Sequence, residues 1–194
     1  MKLQIKKRSG LKKSEVLKFR REGFIPAVLY QKGKEGEMIT VQGSEYNALV
    51  RQVQPGRLST QQFSLVGEDG VEVKAILKEV QYHPTTYDVL HLDFEELKPD
   101  TVVSVKVPIE CTGVVDCVGV KLGGVVRQVI RYVKVRCLPK NIPSVFQVDV
   151  KDLSINQSRR LNDLTTTDGT KITEHNELRP VGNLNLVAVG IVKR

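Results

Sequence analysis

The chain of 194 residues carries 30 Lys and Arg against 22 Asp and Glu, a formal charge of +8, with 40% hydrophobic residues and no Trp. That apolar content supports a folded core of one large or two small domains. No apolar run approaches ~18 residues, so no membrane span is expected, and the start MKLQIKKRSG has neither an apolar h-region nor a small-residue cleavage site, which argues against secretion.

The charge is uneven. Residues 1–34 hold eleven basic and two acidic side chains, +9, leaving the other 160 residues at −1. A basic block concentrated in this way points to a polyanionic partner. Within it, residues 2–6 (KLQIK) alternate, which places Leu3 and Ile5 on one face of a half-buried strand. Ser9-Gly10 breaks that strand. The next segment predicts a helix over residues 15–22, with Ser14 as N-cap and Gly23 as the C-terminal stop. Val16, Leu17 and Phe19 are expected to face the core, with Lys18 and Arg21 opposite and Arg20 near the edge. The three basic residues also suit the negative end of the helix dipole. An ordinary solvated amphipathic helix is the plain alternative for this segment.

Residues 25–30 read as a buried strand that tolerates Pro26 near its start, 31–36 as a turn, and 37–41 as the second arm of a hairpin. A short helix is expected from Ser44, its cap, to about Gln52, with Tyr46, Leu49, Val50 and Val53 on its apolar side. Strands at 63–66 and from 71 towards Tyr82 flank the turn 67–70 and form a second hairpin. In the strand 87–94, alternation puts Leu90, Leu92 and Phe94 on one face. Tyr87, Val89, His91 and Asp93 fall on the other, so His91 and Asp93 project side by side. A boundary near residues 97–100 separates a domain of residues 1–97 from one of 98–194. The second half predicts strands at 103–109, 146–150 and 184–192, a glycine-rich irregular loop at 111–124, a further strand or hairpin at 125–137, and a proline-bounded turn at 138–143. The expected fold is mainly β, with one or two short helices.

Cys111, Cys117 and Cys137 are an odd number with no C-x-x-C spacing, and read as small hydrophobes in a reducing, cytoplasmic setting. His83, His91 and His175 make no metal-ligand spacing, and Gly123-Gly124 belongs to no phosphate-binding loop, so neither metal nor cofactor is expected. His91-x-Asp93 could serve as an acid–base pair in a small enzyme, yet no nucleophile motif or third ligand stands near it in the chain. A structured RNA accounts for more of the pattern. Lys7, Arg8, Lys12, Lys13, Lys18, Arg20 and Arg21 suit phosphates, with affinity that falls as salt rises. Asp93 can accept hydrogen bonds from 2′-hydroxyls and guanine amino groups of a wide A-form minor groove, while Tyr30 and His91 can donate or stack.

The stretches GFIPAVLY (residues 23–30), EVQYHP (79–84) and VLHLDF (89–94) resemble the bacterial large-subunit ribosomal protein twenty-five, which binds 5S rRNA. VPIECTG (107–113), GVKLGGV (119–125), LPKNIP (138–143) and VDVKDL (148–153) resemble its long two-domain form, the general-stress or CTC type. The ordered set covers nearly the whole chain. The resemblance implies an N-terminal β-barrel of residues 1–97 that binds 5S rRNA, similar to the anticodon-binding barrels of glutaminyl-tRNA synthetase. It implies a second β-rich domain of residues 98–194 without catalysis, on the central protuberance of the large ribosomal subunit. No small-molecule substrate or membrane partner is implied. Carried over by position, Ser14 and Arg20 fall in the RNA-contacting segment, Tyr30 matches the tyrosine after PAVL, Lys78 lies near a polar contact, and His91 and Asp93 match the H-x-D pair. Gln31 departs from the usual glycine after that tyrosine, and the chain stops at Lys193-Arg194 without the acidic tail of many long members. A barrel that binds tRNA or another structured RNA is the nearest alternative.

Overall fold

A computed structural model describes residues 1–8, 12–31, 33–166 and 179–193, so the predicted break at Ser9-Gly10, part of the 31–36 turn, and His175 lie outside the described residues. The chain divides into two compact units, Met1–Thr101 and Val102–Arg194.

In the first unit, strand β1 (Lys2–Lys7) is followed by helix α1 (Lys13–Arg21), strands β2 (Phe24–Tyr30) and β3 (Glu37–Gln42), helix α2 (Gly43–Gln52), and strands β4 (Gln62–Val66), β5 (Glu72–Tyr82) and β6 (Val89–Glu96). The strands close into a barrel in the order β1-β3-β2-β6-β5-β4, sealed by a parallel pairing of Leu3 with Leu65. Alternation fills the interior. Leu3 and Ile5, Ala27 and Leu29, Ile39 and Val41, Phe63 and Leu65, and Leu92 and Phe94 are all buried in one cluster. Phe63 and Phe94 meet edge-to-face at 5.8 Å, the geometry their ring quadrupoles favour. Pro26 pairs with Thr40 of β3 just before pairing with β6 begins at Ala27. Its missing N–H therefore costs no ladder bond on that side.

Both helices start one residue before the expected caps. Ser14 lies inside α1, where the Lys12 carbonyl accepts the first N–H groups, from Glu15 at 3.1 Å and Val16 at 3.3 Å. Ser44 likewise lies inside α2, which begins at Gly43. The reason is a tertiary contact: the Gly43 N–H donates to the Gly23 carbonyl at 2.9 Å, and that bond fixes the helix start. A β-carbon at Gly43 would stand 2.7 Å from the same oxygen. Gly43→Ala is therefore expected to cost about 2 kcal/mol, through backbone displacement in a packed site, read as a lower urea midpoint; an unchanged midpoint would show that the Gly23 loop gives way freely. Gly23 itself ends α1 as expected, with φ +84°.

Tyr46 of α2 is 1% exposed, and its hydroxyl has no hydrogen-bond partner among the described residues. Burial, with a smaller contribution from Tyr82, raises its pKa well above the usual value. The folded state thus holds this proton more tightly than the unfolded state. Its contribution is intact below about pH 10 and is lost as pH climbs beyond that. Tyr46→Phe should be at least as stable as the parent at neutral pH, because the unpaired polar atom is gone. It should also lose less stability between about pH 9 and pH 11, measured by urea unfolding.

The second unit contains β7 (Val103–Thr112), the one-turn helix α3 (Val118–Lys121), β8 (Gly124–Gln128), β9 (Tyr132–Cys137), β10 (Phe146–Asp149), β11 (Ser158–Arg160), β12 (Thr165–Thr166), β13 (Arg179–Pro180) and β14 (Val187–Lys193). They form a five-stranded sheet, β12-β10-β7-β9-β13, and a three-stranded sheet, β11-β14-β8. The segment expected as an irregular loop at 111–124 instead extends β7 and adds α3. Residues 125–137 supply two strands to two different sheets. Gly119 and Gly124 explain this, since a β-carbon on either would meet Ile191 of β14 or neighbouring backbone within 3 Å, and the close approach draws β8 to β14. The three cysteines are free, with Cys117 and Cys137 buried. No helix among the described residues is long and apolar enough to cross a membrane.

Candidate nucleic-acid interface

Strands β2, β6 and β5 are neighbours in the barrel wall, and α1 packs at the β2 side of this surface and bonds to β6 through Arg20. On β6, with Leu92 and Phe94 in the core, His91, Asp93 and Glu95 fall on the other side of the strand; His91 and Asp93 are half-buried there and Glu95 is buried. The register sets Tyr30 and Val28 of β2 beside Glu95 and Asp93, and sets Glu79 and Gln81 of β5 beside Asp93 and His91. The pairing predicted from H-x-D alternation is present: His91 Nδ1 lies 2.6 Å from Asp93 Oδ1.

Two bulges shape this surface. Between Leu77 and Glu79 the β5–β6 register slips, so Lys78 has no opposed residue, and its ammonium reaches Glu95 at 2.5 Å. Between Gln81 and Tyr82 it slips again, passing over Leu90. Bulges free backbone groups and re-aim side chains. Here the Leu90 carbonyl accepts two hydrogen bonds from the Arg20 guanidinium, from Nη2 at 2.9 Å and Nε at 3.2 Å. Leu90, expected beside Leu92 in the core, is consequently half-buried. Arg20 thus ties the end of α1 to the residue preceding His91.

Tyr30 closes the cluster. Its hydroxyl pKa is raised, first by burial and then by the carboxylates of Glu95, Asp93 and Glu79. The phenol therefore stays protonated and able to donate across the physiological range. The face thus presents carboxylate acceptors beside a phenol donor, an imidazole and one ammonium. Glu79 and Glu95 were not among the expected site residues, although Glu95 could have been found by carrying the His91, Asp93 alternation one step further.

The basic residues fall into two groups. Lys7 at the end of β1 and Lys18 on α1 lie 3.9 Å from Glu37 and Glu22, loose exposed pairs of small energetic weight. Arg8 follows β1, with its N–H donating to the Met38 carbonyl. Lys12 and Lys13 at the start of α1, and Arg21 at its end, have no carboxylate in ion-pair range among the described residues. Ser14, in the first turn of α1, is exposed. The α1 helix has no fully buried residue; Val16 and Phe19 are half-buried and Leu17 is 42% exposed, so the expected core face is shallow. No group of three or more His, Cys, Asp or Glu among the described residues is arranged to hold a metal ion.

Comparison with known proteins gives two matches that together span nearly the whole chain. Residues 3–94 match the Ribosomal L25p family, and residues 102–190 match the C-terminal domain of ribosomal protein TL5. The chain is 43% identical over 194 residues to large ribosomal subunit protein bL25 of Chlamydia muridarum (strain MoPn / Nigg), covering 100% of both chains. It is also 43% identical to the bL25 protein of Chlamydia abortus (strain DSM 27085 / S26/3), with the same coverage. Against that of Chlamydia pneumoniae it is 44% identical over 169 residues, 87% of this chain and 91% of the relative.

Proposed function

This chain belongs to the bL25 family of large ribosomal subunit proteins, in its two-domain form, and from that premise we propose that its barrel binds 5S rRNA at the central protuberance. Its role there is structural and non-catalytic, in the cytoplasm, among other components of the large subunit. The observation that carries this reading is the juxtaposition of unpaired cations on α1 with Tyr30, His91 and Asp93 on the adjoining strand face. Cations alone would bind any polyanion. The carboxylates are the informative part, because they repel phosphate and are useful only against hydrogen-bond donors such as 2′-hydroxyls and guanine amino groups. Lys12, Lys13 and Arg21 hold the backbone. Arg20 orients the helix that carries them, and Tyr30, His91 and Asp93 read the groove. Competition binding tests this: labelled 5S rRNA should be displaced by unlabelled 5S rRNA at far lower concentration than by tRNA. Equal displacement would favour a general barrel for structured RNA.

A further inference from the structure

The strand expected from Tyr87 begins only at Val89, and Tyr87 sits in the turn that leads from β5 to β6. There it takes φ +59°, a left-handed backbone that Gly, Asn and Asp adopt readily and a bulky side chain adopts against a penalty. The turn is closed on itself. The His83 N–H donates to the Asp88 carbonyl at 2.8 Å, and the Tyr87 N–H donates to the His83 carbonyl at 3.0 Å. His83 Nδ1 accepts from the Thr86 N–H at 3.3 Å, and the Thr86 hydroxyl donates to the Asp88 carboxylate at 2.6 Å. These bonds hold Tyr87 at the tip, with the residue 77% exposed. Packing gains little from a ring placed there, so a strained and exposed tyrosine points to a contact made outside the fold.

Tyr87 lines a hollow of about 480 Å³, bounded also by the end of α1 and the start of α2. That volume lies within the roughly 300–1,000 Å³ of sites that take small organic groups. Its deeper lining is apolar, from the buried Ile25 and the half-buried Phe24 and Val89. Its exposed lining is polar: Ser44 and Asn47 on α2 bring a hydroxyl and an amide, and Asp88 a carboxylate. Leu90 lines it as well, and the next residue along β6 is His91. At the rise of a β-strand Asp93 follows Leu90 by about 10 Å. An RNA lying on His91 and Asp93 therefore has this hollow beside it.

We propose that the hollow takes one unpaired nucleotide of the RNA read by the adjoining strand face, with its base stacked on Tyr87 and its edge hydrogen-bonded by Ser44 and Asn47. The inference rests on the barrel binding 5S rRNA, and adds an extruded base to the groove contacts. Unpaired bases are recognised by an aromatic face together with donors and acceptors set against the base edge, and the hollow offers both. Asp88 repels phosphate and can accept from base amino groups, so the base enters and the backbone stays outside. The self-bonded turn fixes the ring before RNA arrives, which lowers the ordering cost of the contact. A protein side chain would fill the apolar part but leave Ser44, Asn47 and Asp88 without a role.

The test uses the full chain and 5S rRNA, with affinity, thermal midpoint and base accessibility measured on each variant. Tyr87→Asn removes the ring but keeps a residue suited to φ +59°, so its thermal midpoint should equal or exceed that of the parent. Its affinity should fall about tenfold, and Tyr87→Phe should restore it. Asn47→Ala, at an exposed helix position, should weaken binding severalfold. The slope of log affinity against log salt should not change in any of them, because no phosphate contact is lost. Dimethyl sulfate and carbodiimide, which together probe every base type, should show an unpaired base shielded by the parent and by Tyr87→Phe but open with Tyr87→Asn. A parent that binds 5S rRNA no better than tRNA overturns the reading of the barrel, and this inference with it. Normal parent binding with Tyr87→Asn equally tight, or with the same bases shielded by both, overturns the inference alone. So does a lowered midpoint in Tyr87→Asn, which would make Tyr87 a folding residue.

Discussion

Asp93→Ala is expected to weaken 5S rRNA binding about tenfold to a hundredfold, although it removes a negative charge from the surface proposed to take a polyanion. The sign is the point. If α1 were a simple phosphate clamp, deleting a carboxylate beside it would strengthen binding. If Asp93 accepts hydrogen bonds from RNA donors, its loss forfeits a contact of about 1–3 kcal/mol and leaves those donors unpaired. His91 Nδ1 lies 2.6 Å from the Asp93 carboxylate, so the two groups are coupled: His91→Ala should reproduce part of the loss and the double variant should be less than additive. Neither change touches a phosphate, so the slope of log affinity against log salt should stay as in the parent. Lys12→Ala, Lys13→Ala and Arg21→Ala combined should do the reverse, lowering that slope by about 2.7 and weakening 5S rRNA and tRNA alike. Tighter binding by Asp93→Ala would sink the groove-reading assignment.

The contrast between those two groups of residues was partly visible in the sequence, and the visible part was the part governed by local rules. Alternation in VLHLDF fixes which residues leave the core, so His91 and Asp93 could be paired from period two alone. The hairpin arms around Met38 and Leu65 follow from the same rule. What could not be read is where a distant backbone group overrides a local preference. Ser14 and Ser44 are good caps by chemistry, but the bond from the Gly43 N–H to the Gly23 carbonyl sets the start of α2 and leaves Ser44 inside it. The slips at Lys78 and Leu90 depend on how β5 and β6 accommodate barrel curvature, which no single strand encodes. The split of residues 124–137 between two sheets hangs on the contact of Gly119 and Gly124 with Ile191, about seventy residues away along the chain. Charge was misjudged for a different reason: a sum over 160 residues cancelled residues 35–101, with five basic and twelve acidic side chains, against residues 102–194, with fourteen basic and eight acidic.

Arg20 separates the two kinds of inference most sharply. The sequence groups it with the phosphate-binding cations, whereas the structure has its guanidinium donating twice to the Leu90 carbonyl. A nine-residue helix with no fully buried side chain is marginal by itself, so this fork is a principal tie between α1 and the barrel. Hydrogen bonds from a charged group of this kind contribute about 1.5–3 kcal/mol. Arg20→Lys keeps the charge but loses the planar fork. The variant should therefore release α1, seen as at least tenfold faster hydrogen exchange of its amides, while the β6 amides stay protected. Affinity for 5S rRNA should fall about tenfold, because Lys12, Lys13 and Arg21 are then no longer held beside Tyr30 and Asp93. The salt slope should be close to that of the parent, since Lys12, Lys13 and Arg21 still reach phosphate once the RNA has re-docked α1, and only the cost of that re-docking is added. If Arg20 acted through phosphate alone, Arg20→Lys would bind nearly as well as the parent and α1 exchange would not change. Through the Leu90 carbonyl, one residue before His91, Arg20 joins the charged helix to the strand that carries His91 and Asp93.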